Sequence, residues 1–77
     1  MKHPIVMVTW HDAHAISDSW IELPITEDPC VVNSVGWLIE EGKPEHVVLA
    51  QSFNDDDAYD HILAIPSDMV KEVKLLN

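Results

Sequence analysis

His11, Asp12 and His14 come closest to metal chemistry by type and spacing. Imidazole and carboxylate are ordinary metal ligands, and two histidines three apart share one face of a helix. His3 joins them as a candidate if the fold brings it near. The stretch follows directly on an apolar run, however, and reads as loop, so a plain polar loop is the stronger reading. Asn54, Asp55, Asp56, Asp57 and Asp60 form a second cluster, of hard oxygen donors that suit calcium. The calcium-loop pattern asks for a glycine and a closing glutamate at fixed positions, and neither is present. A solvated acidic turn accounts for these residues. Cys30 with a histidine would make a nucleophile and its base, as would Ser17, Ser19 or Ser34 with histidine and aspartate. Yet Cys30 opens an apolar run, where free cysteine packs as a small hydrophobe. A domain this small also has little room for a deep, water-excluding pocket. The sequence therefore reads as a non-enzyme, with no catalytic residue, cofactor or metal assigned.

The three tryptophans, Trp10, Trp20 and Trp37, are the interface candidates. Alternation in the second apolar run puts Trp37 with Val35 and Ile39, which favours the core for Trp37. Trp20 lies in a polar stretch, where it either folds down as a lid or stays exposed as an interface anchor.

Short runs rich in valine and isoleucine, bounded by Pro, Asp and Asn, must position these residues, and such runs are the signature of strands. The first is Ile5 to Trp10, with Pro4 before it where a ladder donor is dispensable. Residues 11–29 read as a long ordered loop with a short turn or strand near Trp20–Leu23. The second run is Cys30 to Glu40, in which Val31, Val35, Trp37 and Ile39 share one side and Cys30, Val32, Ser34, Gly36 and Leu38 the other. Gly36 in mid-strand marks a bulge, a bend or a close backbone approach. Residues 41–45 read as a hairpin loop, His46 to Phe53 as a third strand, and Asn54 to Asp57 as a turn. Tyr59 to Ile65 is the fourth strand. Pro66 to Met69 reads as one tight helical turn that Ser67 is able to cap. Val70 to Leu76 closes the chain as a fifth strand, with Val73 and Leu75 facing one way. A terminal helix is the rival for that last segment, but Val70 and Val73 favour extended structure.

Seventy-seven residues make one domain, spanning 1–77, and a small one whose core leaves stability marginal. Fourteen acids against four lysines, with no arginine, give a formal net charge of −10. Nucleic acid and anionic membrane both demand a basic footprint, so neither is expected as a direct partner. The single cysteine excludes an internal disulfide. No apolar run is long enough for a membrane helix, and Ile5–Val8 is too short for a signal-peptide core, so the cytosol is the expected compartment.

Five short strands, a long first connection and a one-turn helix before the last strand resemble the SH3-like small barrel. Ile65-Pro66-Ser67-Asp68-Met69-Val70 is similar to the "I-P-S-x-x-V" step before the final strand of that fold. Closure of five strands would remove aggregation-prone edges. The resemblance implies an all-β, five-stranded SH3-like barrel in which residues 11–29 form the first, variable loop. Proline-peptide recognition is not expected, because the closely spaced aromatics of such grooves are missing. An Sm-like RNA role is disfavoured because Lys2, Lys43, Lys71 and Lys74 are spread out. Asp18-Ser19-Trp20, Ser34-Val35-Gly36-Trp37-Leu38, Val48-Leu49-Ala50-Gln51-Ser52 and Ala64-Ile65-Pro66 resemble a group of small uncharacterised bacteriophage proteins. That resemblance implies a phage source, the host cytoplasm, and a role in taking over or evading the host. It brings no catalytic residue with it.

Two function classes follow. One is a non-enzymatic interaction module, self-associating as a homo-oligomer and binding a host protein or small molecule. The other is an acidic mimic of nucleic acid that blocks a host DNA-binding protein, with Asp55, Asp56, Asp57 and Asp60 among its carboxylates. Mimicry needs those carboxylates to form one continuous stripe.

Overall fold

A computed structural model of the protein describes residues 2–12 and 30–77. Five strands run β1 (Ile5–Asp12), β2 (Cys30–Leu38), β3 (His46–Phe53), β4 (Tyr59–Pro66) and β5 (Val70–Leu75). A single 3-10 turn, Ser67–Met69, precedes β5. The fold is all-β, and the five strands lie where valine-rich alternation placed them. The strand expected over Ile5–Trp10 continues to Asp12, because His11 and Asp12 still pair with Val31 and Cys30. The expected turn or strand near Trp20–Leu23 lies outside the described residues.

All pairings are antiparallel, in the order β4-β3-β2-β1-β5. The outer strands β4 and β5 do not pair with each other, so the sheet stays open rather than closing into the expected barrel. Strand β2 is the shared element. Most of it pairs with β1, and its last residues, Trp37 and Leu38, also pair with Ala50 and Leu49 of β3. Gly36 sits at this junction, where a Cβ would lie 3.0 Å from the Ala50 carbonyl oxygen and 3.2 Å from Leu49 Cβ. Of the three expectations for Gly36, close backbone approach is what the structure shows.

The core is Val6, Val8, Leu49 and Ile65, with Trp10, Leu38, Val47, Met69 and Val70 packed against it. The inward face of β2 is therefore the one carrying Val32, Ser34, Gly36 and Leu38. This corrects the expectation that Trp37 belongs to the core: it is half-buried on the other side of β2, outside the core cluster, and Val35 on the same side is 61% exposed. The reason lies in the partner strand. Val6 stands opposite Gly36 and Val8 opposite Ser34, so β1 supplies the bulk and β2 the space. At the centre of β3 both faces are buried: Val48, Leu49 and Ala50 are all enclosed. Gly42 lies against Val48 so closely that a Cβ there would meet its side chain at 3.1 Å.

The turn before β5 is also not capped as expected. Pro66 occupies the N-cap position and no side chain caps the turn. Ser67 instead donates its N–H to the Glu45 carbonyl at 3.0 Å.

Candidate functional site

The three tryptophan candidates separate. Trp10 is half-buried on the core side, and its indole Nε1–H donates to Ser34 Oγ at 3.1 Å. The same bond engages the Ser34 hydroxyl that a nucleophile reading would need. Trp37 lies on the outer face, with its ring 5.2 Å from Phe53 in an edge-to-face contact. Trp20 lies outside the described residues.

Phe53 anchors an aromatic cluster that no spacing in the sequence reveals. His3 packs edge-on against Phe53 at 4.9 Å and against Tyr59 at 5.7 Å. The Tyr59 hydroxyl and His3 Nε2 are 3.3 Å apart. Pro4 accepts the Leu38 N–H at 2.8 Å, and Lys2 forms an ion pair with Asp57. Residues 2–4 are thereby fastened across the β3–β4 hairpin. Edge-to-face rings contribute about 1 kcal/mol per pair beyond their buried area. These aromatics hold the hairpin end together.

The metal candidates are not gathered. His3 precedes β1 and His11 lies near its far end, opposite Val31; His14 lies outside the described residues. Asn54 Oδ1 accepts the N–H groups of Asp56 and Ala58, both at 3.0 Å, which shapes the acidic turn. Among the described residues no three His, Cys, Asp or Glu side chains are grouped to hold a metal ion. Cys30 is exposed at the start of β2 rather than packed as a small hydrophobe, because β2 begins on the outer stretch of the β1–β2 pair.

Two groups of carboxylates flank β3 at its ends. Glu40, Glu41 and Glu45 surround the turn before it, and Asp55, Asp56, Asp57 and Asp60 follow it. Eight strand residues separate the groups, or roughly 26 Å at 3.3 Å per residue. Between the first group and β4 lies an open, apolar groove of about 280 Å³, floored by Val48 and lined by Ile39, Tyr59, Ile62 and Ala64.

Exposed large apolar side chains mark the sheet margins. Ile62 and Leu63 lie on β4, Val73 and Leu75 on β5, and Leu76 just beyond it. Val31 and Val35 on the outer face of β2 complete the set among the described residues. Sequence alternation assigns these side chains to one face or the other, with Val73 and Leu75 together, but does not show that the strands carrying them are the sheet's margins. No family model, curated protein or solved structure matches the chain.

Proposed function

We propose that this protein is a non-enzymatic interaction module that self-associates and in that form binds a host protein or small ligand. One observation carries the reading. Five of the seven exposed large apolar residues lie on the two outer strands or directly after β5. Both strands end the sheet without an outer partner among the described residues. Unpaired N–H and C=O groups beside apolar side chains form a template for another strand. A domain with only six buried apolar residues among those described gains stability when a second copy covers that margin. Phage origin and action in the host cytoplasm rest on the residue resemblance given above.

The acidic-mimic reading lacks an observation of this kind, because seven of the described carboxylates divide between the two ends of β3, while Asp12 and Glu72 lie apart from both groups on β1 and β5. Sedimentation equilibrium across micromolar to millimolar concentrations tests self-association. A mass that rises with concentration is the expected result, and a monomer throughout removes the reading.

A further inference from the structure

Resting on the self-association reading, the geometry points to one mode: two copies pair antiparallel through their β5 edges about a two-fold axis at Val73, with each Glu72 opposite Lys74 of the other copy. Ladder bonds in an antiparallel pair alternate along the strand. The Leu76 N–H donates to the Ile5 carbonyl at 2.8 Å, and Leu75 then stands opposite Val6. Lys74 and Glu72 therefore turn their backbone groups towards β1. Val73 and Leu75 turn theirs to the outer edge, which has no partner among the described residues.

This alternation limits how a second β5 can dock. Both strands must present outward-facing residues to each other, so a two-fold axis passes through Glu72, Val73 or Lys74, never between residues. An axis at Glu72 sets that carboxylate against its own copy, and an axis at Lys74 does the same with two ammonium groups. Like charges directly opposite are destabilising. An axis at Val73 leaves Val73 facing its copy through two backbone hydrogen bonds. It also places Glu72 opposite Lys74 twice, at positions where side chains approach most closely. On the other face, Val73 and Leu75 share the side of Val6 and Val8 and are 45% and 62% exposed. Pairing would continue that apolar face from one copy to the next. Leu75 would then lie beside the aliphatic stem of Lys71 from the second copy.

Strand β4 is a poorer occupant for this edge. The Ser67 N–H is bonded to Glu45, so the adjacent Pro66 falls at an outward position, where it offers no donor. His61 adopts a left-handed φ of 52° in the middle of the strand, and its N–H is taken by Asp60 Oδ1 at 3.0 Å. A regular partner strand cannot follow that backbone.

Sedimentation equilibrium on the full chain and four variants tests the arrangement, with far-UV circular dichroism as a check on folding. The wild type is expected to form dimers and nothing larger. Lys74→Glu and Glu72→Lys, both exposed, should each weaken dimerisation about tenfold or more, since two attractive pairs become repulsive. The double swap should return affinity to within about threefold of wild type. Val73→Pro removes an outward-facing donor that β1 does not use, and should give a folded monomer. A wild type that associates with unchanged affinity in both charge variants, or that forms rings or filaments, overturns the β5 two-fold while leaving self-association standing. Failure of the double swap to restore affinity overturns the register. A wild type that stays monomeric overturns the underlying reading itself.

Discussion

Strands β4 and β5 end the same sheet, yet the edges they leave without a partner among the described residues differ in kind. Along β4 the row of backbone groups is interrupted by Pro66 and by the left-handed His61, whose imidazole Nδ1 lies 2.9 Å from Asp60 Oδ2. Natural edges are commonly blunted in this way, by proline, charge and local irregularity. Along β5 the register is regular from Glu72 to Leu75, and its one irregularity lies at the other end, opposite Thr9 and Trp10. Lack of a neighbour does not by itself make an edge adhesive. What decides is whether consecutive outward donors and acceptors remain in line beside an apolar face.

Substitutions at matching positions should separate the two margins. The largest effect is expected at Ile65, the fully buried inward residue of β4. Ile65→Ala should cost about 3 kcal/mol in urea unfolding, and by the same amount at low and high protein concentration. Next comes Phe53→Ala, which removes the ring touching His3, Trp37 and Tyr59 at the hairpin that starts β4. A loss of about 2 kcal/mol is expected, below that of a fully buried phenylalanine because the site is half-exposed. Leu75→Ala on β5 should lower monomer stability by less than about 1 kcal/mol, yet weaken self-association severalfold. Equal losses for Ile65→Ala and Leu75→Ala in dilute solution would erase the contrast. The smallest change is expected from Pro66→Ala, within about 0.5 kcal/mol of wild type, with slightly greater association as a β4 donor is restored. Unchanged association in light scattering would show that His61 alone guards that edge.

Much of the architecture could be read directly. Valine-rich alternation located all five strands, and Pro66 marked the turn before the last one. Gly36 signalled close approach because only a residue without Cβ fits against the Ala50 carbonyl. The inward face of β2 could not be read this way. Alternation assigns residues to two sides, and choosing between them requires knowing that Val6 and Val8 stand opposite Gly36 and Ser34. The aromatic cluster was equally hidden, since it joins His3, Trp37, Phe53 and Tyr59 from three strands and the segment ahead of β1.

Side-chain period, turn chemistry and charge are local properties, and they were enough to read an all-β chain, a strongly acidic composition and strand boundaries to within two residues. Which strands end the sheet, which face of β2 is covered, and which backbone groups of β5 look outward emerge only from the folded arrangement. Those are properties of pairing and register, and they depend on what stands opposite a residue rather than on what stands beside it in the chain.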